Sequence, residues 1–217
     1  MKVVFTLLFG GISGASAAIT SFDPFFVGKT IPDNNAVGLA DTRVVSTWID
    51  TVQLLRVSLE ISGGWNGDYY AHLVHDTGFA VLLNRVGRGE SMAFGSPGEG
   101  MSVTFDDTAP LDIHLAAGPG YDPLIGNFQP SARTADPAAA DTDSPRSAFL
   151  SSFVGLDPNG EWTLFIADVG AGESGVLVSW SLEIQGIPEP SSAMLAIASL
   201  LAGCAMRRRL PRPASRN

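Results

Sequence analysis

The chain has 217 residues, and thirteen Lys and Arg stand against twenty-two Asp and Glu, a formal charge of −9. The imbalance is concentrated between residues 18 and 187, where seven basic and twenty-one acidic residues give −14. That excludes nucleic acid and anionic lipid as partners, because both need a basic face. The single cysteine, Cys204, lies near the C-terminus, so the bulk of the chain carries no disulfide and must be held by an apolar core.

At the N-terminus, Met1-Lys2 precedes an apolar stretch, Val3 to Phe9, and then small residues ending in Ala15-Ser16-Ala17. A charged start, an apolar middle and an A-x-A site predict a secretory signal peptide over residues 1–17. Ala15 and Ala17 would guide signal peptidase, with cleavage after Ala17 or Ala18.

The region that follows reads as β-strand. Val57, Leu59 and Ile61 alternate with Arg56, Ser58 and Glu60; Trp162, Leu164 and Ile166 alternate with Thr163, Phe165 and Ala167. Val176, Val178, Trp180, Leu182 and Ile184 form a third period-two series. Tyr69 to His75, Phe79 to Asn84, Met101 to Phe105 and Ile113 to Leu115 are further strand candidates, and no stretch has a helical period. Turn chemistry separates them, at Ser62-Gly63-Gly64, Asn66-Gly67-Asp68, Asp76-Thr77-Gly78, Asp157-Pro158-Asn159-Gly160 and Gly170 to Gly175. Asn159-Gly160 is expected to set a hairpin register. The segment from Gly118 to Arg146, rich in Pro, Ala, Asp and Gly, predicts a long surface loop. Many short strands separated by turns predict an all-β fold, an antiparallel β-sandwich of jelly-roll type, over residues 28–186.

Residues 187–212 have a different character. Pro188-Glu189-Pro190 opens an apolar run from Ala193 to Met206, and Arg207-Arg208-Arg209 closes it. Proline lacks the N–H that a ladder needs, so the pair is expected to stand outside the sheet. The run is short of the roughly twenty residues of a full membrane span, and counting from Ile187 through Leu210 brings it close. Cys204 within it reads as a small lipid-facing side chain, with acylation as the alternative. Tripeptide, apolar segment and arginine cluster together resemble the PEP-CTERM tail of Gram-negative bacteria. That resemblance implies an inner-membrane-anchored precursor with a short transmembrane sorting helix. It also implies recognition by the enzyme exosortase at Pro188, Glu189 and Pro190, with Arg207, Arg208 and Arg209 on the cytoplasmic side. The processed protein would then reside at the cell surface or in the extracellular matrix.

A second resemblance covers about Thr30 to Ile184. Leu150 to Leu164, reading LSSFVGLDPNGEWTL, is similar to a stretch of the P domain, also called Homo B, that accompanies proprotein convertases of the subtilisin class. Ile166-Ala167-Asp168 and Gly175 to Leu182 continue it, and so do Gly67 to Leu73, Leu82 to Arg85, Thr104 to Asp107 and Ile31 to Asp33. The resemblance implies a β-sandwich without catalytic residues of its own. Its separate protease domain has no counterpart in this sequence, which lacks the serine and histidine motifs of that class.

Candidate chemistry is therefore sparse. His72 and His75 should point to opposite sides of one strand, and Ser151 and Ser152 have no base nearby in sequence. Asp68, Asp106, Asp107 and Asp168 fall at strand ends, where carboxylates can gather around Ca²⁺ or simply cap turns. Some relatives of the P domain hold calcium, which makes Ca²⁺ the one candidate cofactor. Trp65, Tyr69 and Tyr70, beside glycine turns, are candidates for a glycan-stacking platform or for ordinary core and rim aromatics. The expected role is interaction or structural, with exopolysaccharide or other surface proteins as partners. The alternatives are a P domain accessory to a serine-type endopeptidase acting in trans, and a carbohydrate-binding sandwich.

Overall fold

Alternation of apolar and polar residues places one face of each strand in a shared core, and two sheets close over it. The computed structural model describes residues 17–116 and 120–188. Ten strands run in the order β1 (Ala18–Ser21), β2 (Phe25–Thr30), β3 (Asn35–Val45), β4 (Ile49–Trp65), β5 (Tyr69–His75), β6 (Gly78–Asn84), β7 (Glu99–Phe105), β8 (Leu124–Phe128), β9 (Gly160–Asp168) and β10 (Gly175–Pro188). The first sheet has the order β1-β10-β4-β7-β8, with β2 also paired to β10; the second has the order β3-β9-β5-β6. All pairings are antiparallel except β7 with β8.

Val57, Leu59, Ile61, Val103, Phe105 and Leu182 of the first sheet meet Leu73, Leu82, Leu164 and Ile166 of the second in one buried cluster. Trp162 and Trp180 are fully buried in it, and each indole N–H has an acceptor, Pro158 O at 2.8 Å and Asp41 Oδ2 at 2.8 Å. Burying an indole without such a partner would offset much of its apolar gain.

Several expectations need correction. Ile113–Leu115 is a single 3₁₀ turn, because the Asp112 side chain accepts from His114 N at 3.0 Å and draws the backbone away from a ladder. The segment from Gly118 to Arg146 contains β8, whose residues Leu124 to Phe128 pair in parallel with Met101 to Phe105. Asn159-Gly160 starts β9 instead of turning a hairpin; the Asn159 side chain accepts from Thr47 N at 2.6 Å and ties this corner to the link between β3 and β4. In β10 a bulge between Leu177 and Ser179 shifts the alternation, so Leu177 faces the core with Trp180, Leu182 and Ile184 while Val176 and Val178 do not. Pro188 is paired with Ile49 as the last residue of β10, a position where the absent N–H costs little. Strand pairing extends from Ala18 to Pro188. Among the described residues no helix is long and apolar enough to cross a membrane. Ala15, Glu189, Pro190 and Arg207 to Arg209 lie outside the described residues.

Candidate functional site

The three proposed platform aromatics do not share a surface. Tyr69 and Tyr70 are neighbours on β5 and point to opposite sides, as period two requires. Tyr69 is fully buried, with its hydroxyl donating to Gly63 O at 2.9 Å; Tyr70 is half-buried on the outer side, edge-on to His72 at 5.7 Å. Trp65 is half-buried, packed against the turn at Gly172.

The four candidate aspartates are split between the two ends of β7. Asp106 and Asp107 follow its last residue, Phe105, whereas Asp68 lies just past Trp65, which pairs with Glu99 at its start. Seven residues of strand put roughly 20 Å between the two ends. Asp106 accepts from Arg56 Nε at 2.6 Å and from Thr108 N at 2.8 Å. Burial pushes the Asp106 carboxyl up, but the bonds from Thr108 and Arg56 outweigh it and hold the carboxyl below its ordinary value. Asp107 accepts from Leu150 N and Ser151 N at 3.1 and 2.7 Å. The structure therefore does not bring the four together as one calcium site. Among the described residues no group of three or more His, Cys, Asp or Glu is arranged to hold a metal ion.

At the other end, Asp68 and Asp168 do come together, beneath the turn after β9. Val169 N donates to Asp68 O at 2.8 Å, Gly170 N to Asp168 Oδ1 at 3.1 Å and Gly172 N to Asp33 Oδ1 at 3.1 Å. A Cβ on Gly170 would lie 2.2 Å from Asp68 Cγ, so only glycine lets the turn rest there. Arg85 donates to Asp68 Oδ1 at 3.2 Å, while Oδ2 of the fully buried Asp168 has no partner. Burial, reinforced by Asp68 and Asp33, raises the Asp168 carboxyl to about 6; burial also raises Asp68, against the pull of Arg85.

A pH dependence with a definite sign follows. Between the ordinary carboxylate value near 4 and about 6, folded Asp168 holds a proton that the unfolded chain has released. Stability therefore falls as pH rises through that window, by on the order of 2 kcal/mol. Asp168→Asn keeps the acceptor for Gly170 N and removes the titration. Its urea midpoint, measured with a chelator present, should lie near that of the wild type at pH 4.5 and above it at pH 7. An identical gap at both pH values would refute the assignment.

The histidines sit as the strand period predicts. His72 faces out, stacked on Phe165 at 4.8 Å, and burial draws its pKa down; His75 faces in, stacked on Trp162 at 4.1 Å. His114 is buried with Nε2 2.8 Å from Arg88 O, and burial draws its pKa down as well. The Ser152 hydroxyl donates to Phe79 O at 2.8 Å and accepts from Phe79 N at 3.2 Å, so it fastens a loop to β6.

A groove of about 330 Å³ crosses the outer face of the first sheet. The ladder assembles its floor in two rows. One runs Ser179, Glu60, Ser102, Ile125 across β10, β4, β7 and β8, flanked by Phe26 of β2 next to Ser179; the other runs Ser181, Ser58, Thr104, Asn127. Ser179 Oγ donates to Glu60 Oε2 at 3.1 Å, and the Ser58 and Thr104 hydroxyls lie 3.0 Å apart. In the next row Arg56 bridges Asp106 and Glu183, at 2.6 and 2.5 Å. Sequence reasoning missed this site. The available signal was a small hydroxyl or a carboxylate at every second position in three separate segments, 58–60, 102–104 and 179–181.

Comparisons with known proteins bear on the same strands. The family described as the proprotein convertase P-domain matches residues 100–184, from β7 into β10. No curated protein matches the chain. Among solved structures, the serine protease of Aeromonas sobria in complex with the chaperone ORF2 is 15% identical with a TM-score of 0.40, over 78% of this chain and 27% of that one. The serine protease of Aeromonas sobria is 13% identical with a TM-score of 0.40 over the same shares. The chain spans about a quarter of the length of these proteins.

Proposed function

We propose that this chain is an exported, non-catalytic binding domain of P-domain type, delivered by a signal peptide and sorted through a PEP-CTERM tail. One observation carries the reading. In the P-domain-matched stretch the polar side chains that resemble family motifs are engaged in the fold, while the adjacent polar groove is left open. Asp107, Ser152 and Asn159 each bond to backbone of another segment, and the Trp162 indole donates to Pro158 O four residues back. The hydroxyl of Ser152 and both ring nitrogens of His75 face main-chain groups, which supports binding over catalysis. We read the sandwich as a jelly roll: β2-β10-β4-β7 faces β3-β9-β5-β6, so β2 to β5 alternate between sheets in the manner of two interlocked Greek keys. Exosortase, signal peptidase and the inner membrane are the partners that the terminal segments call for. Surface or matrix residence is the location they imply.

Two features of the described residues suit such processing. Ala17 is exposed immediately ahead of β1, and Pro188 ends the paired part of β10, so a cut after each of them leaves every strand whole, and one after Ala18 costs β1 a single residue. Mass spectrometry of the protein taken from its native envelope tests the reading. The expected species begins at Ala18 or Ile19 and ends near Pro188-Glu189-Pro190. A species intact through Asn217 would reject the sorting step. A serine-directed probe that labels the protein, with labelling abolished by replacing Ser151 and Ser152, would reject the non-catalytic role.

A further inference from the structure

The polar groove over β4, β7 and β10 has a definite chemistry. Its floor is a grid of hydroxyls on strands about 4.8 Å apart, with one carboxylate, Glu60, and one carboxamide, Asn127. Among the described residues the side chains of Ser102, Ser181 and Asn127 make no hydrogen bond within the chain, so their donors and acceptors are open to a ligand. Exposed apolar side chains stand at the two ends of one row: Phe26, 73% exposed, beside Ser179, and Ile125, 70% exposed, beside Ser102.

Charge and topology narrow the occupant. Glu60 brings negative charge to the floor, and Arg56, in the next row, is held by Asp106 and Glu183. Phosphate, nucleic acid and acidic polysaccharide are therefore disfavoured. The strands under the groove are paired on both sides, so a peptide cannot dock there by adding a strand. An apolar protein surface would leave Glu60, Ser102 and Asn127 buried without partners. A sugar ring meets every condition: vicinal hydroxyls match a carboxylate, an amide and rotatable hydroxyls, and its C–H face matches an exposed ring. At about 330 Å³ the groove falls at the small end of the ~300–1,000 Å³ range of ligand sites.

We propose that this groove binds a neutral glycan, with Glu60, Ser102, Ser181 and Asn127 as its hydrogen-bonding floor, Ile125 as an apolar wall and Phe26 flanking it beside Ser179. The inference rests on the reading of the chain as a surface binding domain, and it supplies the ligand class. It moves the glycan site from Trp65, Tyr69 and Tyr70 to the outer face of the first sheet.

Affinity electrophoresis of the full-length protein in native gels containing neutral β-glucan, galactomannan or soluble chitin oligomers, with alginate as the anionic control, tests the site. At least one neutral glycan should retard the protein and alginate should not. Glu60→Ala and Asn127→Ala should each weaken retardation at least tenfold, and Phe26→Ala severalfold. Val37→Ser, on the exposed edge of the other sheet, should leave it unchanged. All four positions are exposed, and unchanged melting temperatures exclude misfolding. If Glu60→Ala alone proves unstable, Asn127→Asp, which keeps the shape and adds charge, should still weaken retardation. Lack of retardation by every neutral glycan, equal retardation by alginate, or groove variants that bind like the wild type would each overturn the proposal. Correctly processed termini without glycan retardation would remove this inference and leave the sorting reading intact; retardation by a protein with an intact tail would do the reverse.

Discussion

Arg133→Ala is expected to lower stability by about 3–5 kcal/mol, the usual cost of leaving one member of a buried ion pair without its partner. Arg133 is 2% exposed, and its Nη1 donates to Asp112 Oδ2 at 2.7 Å. The rest of the guanidinium is engaged as well: Nε donates to Asp141 O and Nη2 to Thr142 O, both at 2.9 Å. One side chain thus joins the turn after β7, through Asp112, to the far end of the segment between β8 and β9. Truncation leaves Arg146, at 3.5 Å, as the only cation beside Asp112 and removes the Arg133 donors from Thr142 O and Asp141 O. Against a total of ~5–15 kcal/mol for a domain, the loss is large. Urea unfolding followed by circular dichroism gives the magnitude. Limited proteolysis gives the place, with the first cuts expected between residues 134 and 147. Arg133→Lys should recover only part of the stability, because an ammonium cannot reach three segments in the geometry of the planar fork. A variant with wild-type midpoint and cleavage pattern would show that the segment is held by other contacts.

That segment also marks the limit of what was legible in the sequence. The strands with clean alternation were readable: Val57, Leu59 and Ile61, or Trp162, Leu164 and Ile166, announce a buried face without knowledge of their neighbours. The burial of both tryptophans was readable for the same reason. β8 was not, because Leu124-Ile125-Gly126-Asn127-Phe128 has strand character only once it lies beside β7. Nor was β3, an edge strand whose exposed residues include Val37 and Val44 and whose Asp41 supplies the acceptor for Trp180 from 139 residues away. Edge strands with one unpaired side lack a continuous pattern, since only part of their surface is buried.

The binding surface was illegible for a related reason. Ser58, Ser102 and Ser179 each read as an ordinary solvent-facing position, and only the register between strands sets them side by side. The aspartates failed in the opposite direction. Each was correctly placed at a strand end, but sequence position does not say which end of the sandwich that is. Asp106 and Asp168 therefore read as candidates for one ion, although one is engaged with Arg56 and the other buried beneath the turn at Gly170. Short-range patterns yield elements and faces; sites made by several strands require the pairing.

Trp162→Ala should rank with Arg133→Ala in cost, at about 3–5 kcal/mol. The indole is fully buried and nearly parallel to the His75 ring, at 4.1 Å and 3°, and Phe153 packs on it at 5.0 Å. His75 in turn places its ring nitrogens 2.8 Å from Glu161 O and 2.7 Å from Asp157 O. Asn159, between them, reaches across to Thr47 N and Ile49 O. The stack therefore supports the corner where β9 begins as well as filling core volume. Truncation opens a cavity, leaves Pro158 O without its donor and frees the His75 ring to tilt away from the two carbonyls. Trp162→Phe separates these contributions. A phenyl ring restores most of the contact with His75 and Phe153 but not the indole N–H, so the residual loss should be about 1–3 kcal/mol, the cost of a buried carbonyl without a partner. Far-UV circular dichroism in urea is the suitable readout, since tryptophan fluorescence would lose one of its own reporters. If Trp162→Phe proves as damaging as Trp162→Ala, the hydrogen bond to Pro158 outweighs the stack, and the corner is held by its backbone more than by its rings.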